Sequence, residues 1–81
     1  DFRSSVLHVV RRIPKGQTMS YGEVAHRSGF LGAARAVGTV LKGNFNPAVP
    51  CHRVIRSNGA LGEYNRGRNR KYSLLESEGA I

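Results

Sequence analysis

Apolar side chains recur at Phe2, Val6, Val9 and Ile13, in steps of four, three and four, and Leu7 and Val10 widen the stripe. That spacing predicts an amphipathic helix over the opening residues, ending before Pro14-Lys15-Gly16. Ser20 followed three residues on by Glu23 is a capping-box pattern, in which hydroxyl and carboxylate each satisfy a free backbone N–H. A short helix should therefore run from Tyr21 to about Ser28 and stop at Gly29. A second fits Gly32 to Lys42, with Ala33, Ala36, Val37, Val40 and Leu41 on one side and Gly43 as its terminator. Pro47 and Pro50 then impose an irregular, extended stretch that ends at Cys51, because proline fixes its own torsion and biases its predecessor away from helix. Val54-Ile55 and Ala60-Leu61 flank Ser57-Asn58-Gly59, and Asn-Gly suits a tight hairpin turn, so a small wing is expected. The last helix should cover about Arg68 to Glu78, bury Tyr72, Leu74 and Leu75, and close at Gly79.

The chain carries no repeat and no low-complexity stretch, so residues 1–81 read as one domain. Two short helices joined by a tight glycine-containing link have the spacing of a helix-turn-helix, and equally of a closely packed helix pair that binds nothing. Small residues (Ala33, Ala34, Ala36 and Gly38) dominate the second helix. They offer few side chains to read base edges, but they permit close backbone approach. The expected fold class is mainly α with a small β-hairpin, a winged helix-turn-helix-like domain.

Composition adds a partner. Thirteen Lys and Arg stand against five Asp and Glu, a formal net charge of +8. Such an excess serves solubility, or releases counterions from a polyanion. Six of the bases (Arg53, Arg56, Arg66, Arg68, Arg70 and Lys71) crowd one stretch that contains a single acid, Glu63, which favours a phosphate-tracking face. No apolar run approaches the roughly 20 residues that span a bilayer, so no membrane is expected, and the location implied is the cytoplasm, or the nucleus in a eukaryote. One cysteine excludes an internal disulfide, and a single thiol with three histidines falls short of a four-ligand zinc site. No metal and no cofactor are expected.

Cys51 and His52 are adjacent, with Arg53 next. A thiol attacks only as thiolate, and a neighbouring imidazole or guanidinium helps populate that form. A lone cysteine is more often a small buried hydrophobe, and this pair by itself leaves both readings open.

The longer run separates them. Pro50-Cys51-His52-Arg53-Val54-Ile55, preceded by Ser20-Tyr21-Gly22-Glu23-Val24-Ala25 and Ala34-Arg35-Ala36-Val37-Gly38, resembles the DNA-binding domain of the O6-alkylguanine-DNA alkyltransferases, with similarity from Phe2 to Gly79. The resemblance implies stoichiometric repair of double-stranded DNA, in which an alkyl group passes from the guanine oxygen to the motif cysteine and the protein is consumed. Cys51 would be the acceptor and His52 the base, acting through a water, while Glu78 stands where the family keeps the carboxylate that orients the histidine. An acid in the last turn of a helix runs against the helix dipole, which points to a compensating cation or shared proton. Arg35 matches the arginine that fills the space of the rotated nucleotide, and Tyr21 the tyrosine that crowds the target phosphate and bonds the flipped base. Ala34, Gly38 and Arg53 would share the DNA face. Asn44, or its competitor Asn46, would brace the active-site turn, and Val49, Pro50, Tyr64, Asn65 and Arg66 would line the alkyl pocket.

The sequence departs from the family in three places. The segment from Asn44 to Cys51 is one residue short. Asn65 and Arg66 replace a small Ser-Gly, and Arg66 is expected to narrow the pocket and favour methyl over benzyl groups. Full-size relatives carry an N-terminal domain that this chain lacks, so it is an excised domain, a natural minimal form or a piece of a fusion, and is expected to act as a monomer. The competing function is a non-catalytic lesion sensor or a plain winged helix-turn-helix binder. Sensors of that type lack the acceptor cysteine, whereas this chain has Cys51.

Overall fold

Asp1 opens the first helix by accepting the Ser4 N–H on its carboxylate at 2.8 Å. This answers one of the four N–H groups that a helix start leaves without a partner. The computed structural model describes residues 1–62 and 64–81, so Glu63 lies outside the described residues. Four helices follow in order: α1 (Phe2–Arg11), α2 (Tyr21–Arg27), α3 (Ala34–Lys42) and α4 (Arg68–Ser77). Two short strands, β1 (Met19–Ser20) and β2 (Val54–Ile55), and a one-turn 3₁₀ helix over Cys51–Arg53 complete the framework.

The helical stripes found in the sequence become one core. Val6, Val10 and Ile13 from the α1 segment meet Val24 and Ala25 of α2, Val37 and Leu41 of α3, and Val49, Cys51 and Val54 from the later chain. Ala36, assigned to the packed side of α3, is exposed; Val37 and Leu41, four apart, carry the contact while Val40 and Ala33 flank it. The capping box forms by half: Ser20 Oγ accepts the Glu23 N–H at 3.0 Å, whereas the Glu23 carboxylate turns along the helix to Arg27 Nε at 2.8 Å. α2 ends at Ser28, and Gly29 follows at φ +88°, a left-handed torsion that costs glycine nothing. α2 and α3 pack on one another across residues 28–33 as a helix-turn-helix.

Two expectations are corrected. The Asn-Gly turn forms, with the Arg56 N–H donating to the Ala60 carbonyl at 2.9 Å and Asn58 Oδ1 accepting from the Ala60 N–H at 3.0 Å, but among the described residues it does not grow into a hairpin. β2 pairs instead in parallel with β1, Met19 opposite Val54 and Ser20 opposite Ile55. Gly62, at φ +75°, packs against Tyr21. In α4, Tyr72 is half exposed and Leu74 half buried; the inward positions are Lys71 and Leu75, one turn apart. Lys71 is buried because its ammonium donates to the Val54 carbonyl of β2 at 2.6 Å, while its aliphatic stem fills the space beneath. It therefore leaves the basic face to which the sequence assigned it.

No helix among the described residues is long and apolar enough to cross a membrane. Leu75 has no exposed surface and secures α4. Leu75→Ala should destabilise the domain by about 2–5 kcal/mol, the usual range for a buried leucine truncated to alanine. Urea unfolding followed by circular dichroism measures it, and a loss near zero would mean that α4 is held by its polar contacts alone.

Candidate active site

Asn44 leaves α3 with its backbone N–H on the Leu41 carbonyl at 3.1 Å and its side chain buried. Its Nδ2 donates to Cys51 Sγ at 3.1 Å. Asn46, the competing amide, is spent locally: its Oδ1 accepts from the Ala48 N–H at 2.9 Å, and its carbonyl accepts from Val49 at 3.1 Å. The shortened segment thus closes as a tight turn, and of the two asparagines Asn44 is the one that reaches the sulfur. Cys51 itself starts the 3₁₀ turn with its N–H on the Val49 carbonyl at 2.8 Å.

The turn aims consecutive side chains at different partners. His52 Nε2 lies 2.9 Å from Glu78 Oε2, and its ring meets Tyr64 edge to face at 6.4 Å. Facing an ionised carboxylate, Nε2 carries the hydrogen, which leaves Nδ1 of the neutral ring with its lone pair. Arg53 was assigned to the DNA face and is turned the other way. Its Nε and Nη2 grip the two Glu78 oxygens at 2.9 and 2.7 Å, and its Nη1 donates to the Ile13 carbonyl at 2.9 Å. Three of its N–H groups are thus spent inside the protein, and the side chain is largely shielded from solvent. It is the cation that the acid at the end of α4 called for, and it holds the Glu78 carboxyl down at about 2, with the His52 hydrogen bond adding to the effect.

Cys51 opens into a cleft of about 720 Å³ whose walls are Tyr21, the α3 face bearing Ala34, Arg35 and Gly38, and the segment of Tyr64 and Asn65. The structure therefore brings Cys51, Tyr21, Arg35, Tyr64 and Asn65 to one space, with Asn44, His52 and Glu78 behind the thiol. Val49 is absent from these walls because its side chain belongs to the core, and Pro50 is half buried away from the cleft. Arg66 is not a wall either. Its Nη2 is anchored on the Phe45 carbonyl at 3.0 Å, which removes the reason for expecting it to narrow the pocket.

Tyr21 is caged by absences. A Cβ on Gly38 would touch its ring at 3.8 Å, and a Cβ on Gly62 would stand 3.2 Å from its hydroxyl. Lys71 Nζ lies 5.7 Å from the centre of the same ring. Burial lowers the Lys71 ammonium to about 8 and pushes the Cys51 thiol up, the latter opposed by the Asn44 hydrogen bond and by the positive charges of Lys71 and Arg66. Sequence reasoning missed Lys71, since a lysine among five other bases looks like solvated charge. It also missed the inward turn of Arg53. Further along the cleft lie Thr39, Lys42, Arg56, Ser57 and Asn58, none of which the sequence assigned to the pocket. Among the described residues no three His, Cys, Asp or Glu side chains converge as metal ligands would.

The second helix of a helix-turn-helix thus borders a cleft that holds a buried thiol, with a carboxylate-bound imidazole behind it. The family profile described as 6-O-methylguanine DNA methyltransferase, DNA binding domain, matches residues 1–80. The chain belongs to that family. It is 51% identical over 81 residues to the methylated-DNA--protein-cysteine methyltransferase of Mycobacterium tuberculosis, covering 96% of this chain and 48% of that protein. It is 46% identical to the protein of the same name from Methanothermobacter thermautotrophicus, covering 98% of this chain and 44% of that one. The crystal structure of M. tuberculosis OGT in complex with DNA superposes with a TM-score of 0.92 at 49% identity, over 96% of this chain and 48% of that one. S. pombe Atl1, solved with damaged DNA containing O6-carboxymethylguanine, superposes at 0.88 with 37% identity, over 96% and 75%. The chain spans about half the length of the curated relatives it matches.

The Glu78 clamp is testable by acid. Its carboxyl falls from an ordinary 4.5 to about 2 on folding, so the unfolded chain binds the extra proton between those values. The stabilisation is complete above about 4.5 and is lost as pH falls toward 2. Arg53→Met should flatten that fall, since the folded carboxyl then titrates closer to its unfolded value. Urea midpoints measured from pH 5 to pH 2 for both proteins check it, and identical slopes would deny Arg53 the role.

Proposed function

We propose that this domain repairs alkylated guanine in double-stranded DNA by taking the alkyl group from O6 onto Sγ of Cys51, once per molecule and as a monomer. The observation that carries the reading is the shared cleft, which puts the thiol and the α3 residue Arg35 on the same space. The names of the relatives support the same chemistry.

A stacked base is out of reach of a nucleophile, so the damaged nucleotide must leave the duplex, at a cost of a few kcal/mol. Arg35 takes the vacated position from the minor-groove side, and the alanine and glycine neighbours on α3 let the backbone come close enough for it to reach. Tyr21, caged between Gly38 and Gly62, presses on the target's phosphate and meets the flipped base. Exposed Arg56, Arg66, Arg68 and Arg70 supply the charge that holds the backbone.

Burial leaves Cys51 a neutral thiol at rest, so a base is required. His52 fills that role through Nδ1, by way of a water, because Glu78 holds Nε2–H and thereby selects the tautomer. Arg53 keeps Glu78 ionised. The thiolate attacks the alkyl carbon in line, a C–S bond forms, and the C–O6 bond breaks with its electron pair leaving on guanine. Tyr21 returns a proton to the departing base, and His52, now carrying the thiol proton, restores the balance through solvent. The product thioether offers no easy reversal, so the domain acts once.

After incubation with a methylated duplex, intact mass should show one added methyl, and peptide mapping should place it on Cys51. Cys51→Ser should transfer nothing yet still bind. Unmodified protein that binds the lesion tightly would make this a non-catalytic lesion sensor instead. Arg35→Ala should slow transfer from duplex by about 10–100-fold, the equivalent of about 1.4–2.8 kcal/mol of extrusion cost left uncompensated. The loss should be smaller on a single-stranded methylated oligonucleotide, where little stacking is broken.

A further inference from the structure

We infer that Asn65 is a positioning residue for Cys51: its side-chain amide grips the backbone of Asn44 and so sets the donor that Asn44 presents to the sulfur. Asn65 Nδ2 lies 2.6 Å from the Asn44 carbonyl and 3.3 Å from the Lys42 carbonyl. An amide nitrogen carries two hydrogens, one for each oxygen. Lys42 ends α3, so its carbonyl is among those a helix leaves without an internal partner. With the Asn44 N–H held by the Leu41 carbonyl at 3.1 Å, both polar backbone groups of Asn44 are fixed, one by α3 and the other by Asn65. From that fixed backbone the buried side chain reaches Cys51 Sγ at 3.1 Å. Arg66 reinforces the seam on the next carbonyl, that of Phe45, at 3.0 Å.

Asn65 also lines the cleft beside Tyr64, so the wall of the alkyl pocket and the donor behind the thiol are one hydrogen-bonded unit. A donor to sulfur favours the thiolate over the thiol, which makes the placement of Asn44 a matter of reactivity as well as of folding. The inference rests on Cys51 being the reacting thiol of the proposed function.

The test measures the rate of Cys51 alkylation by iodoacetamide from about pH 7 to about pH 12 in the folded chain, for wild type, Asn44→Ala, Asn65→Ala and the double variant. Loss of a hydrogen bond to a charged group should move the Asn44→Ala midpoint up by about one pH unit. Asn65→Ala should move it in the same direction by a smaller step, and the double variant should match Asn44→Ala alone. A wild-type midpoint in Asn65→Ala, or two shifts that add in the double variant, overturns the inference. Thermal unfolding confirms that each variant is folded, and Asn65→Ser, with a shorter side chain in the same place, replaces Asn65→Ala if that variant is not. Iodoacetamide requires no DNA, so the outcomes separate: wild type that alkylates with this pattern but takes no methyl from a duplex defeats the proposed function and leaves Asn65 its place.

Discussion

The grip of Arg53 on Glu78 is the constraint on which the rest of the structure depends. One guanidinium holds both oxygens of a carboxylate at the end of α4 and the carbonyl of Ile13 beyond the end of α1. It ties the first helix, the last helix and the cysteine turn together at one point. Because His52 leans on the same carboxylate, the fold and the orientation of the imidazole cannot be separated. The geometry is bidentate and largely shielded from water, which is where an ion pair contributes more than the near-zero value of an exposed one. Nearby, Gly16 at φ +90° leaves room for the Glu78 carbonyl, which a Cβ would approach to 3.2 Å.

A domain of this size has little apolar surface to bury, yet it places Asn44, His52 and Lys71 inside. Every buried side-chain nitrogen and oxygen among the described residues has a hydrogen-bond partner, so the cost of dehydrating them is offset bond by bond. The three surround the cysteine turn: an amide on the sulfur, an imidazole beside it, and an ammonium on the strand that follows. Buried polar groups of this kind specify one arrangement of a small core, since any other would leave a donor or acceptor unpaired.

On the other side of the thiol, the design is subtraction. Gly38 and Gly62 contribute no side chain where the Tyr21 ring needs space, and the alanines of α3 hold the helix surface low around Arg35. α4 begins at Gly67 without a side-chain cap and with cations in its first turn, against the helix dipole.

Much was legible in the sequence because it is written in short-range patterns. The periods of α1 and α3, the serine cap of α2 and the stops at Gly29 and Gly79 depend on residues within one or two turns of each other, and each element formed close to its expected bounds. The motif around Cys51 and the misplaced acid at Glu78 announced a site and its need for a cation. What only the tertiary structure decided lies in pairings across long stretches of chain. The strand Val54–Ile55 met Met19–Ser20 rather than its neighbour across the turn, since the hydrogen bonds of a two-residue strand carry no address. Arg53, Arg66 and Lys71 look alike in a list of bases. One became the clamp on Glu78, one a stitch on the Phe45 carbonyl and one a buried donor to Val54, because a long cationic side chain goes wherever folding brings an unpaired oxygen within its reach.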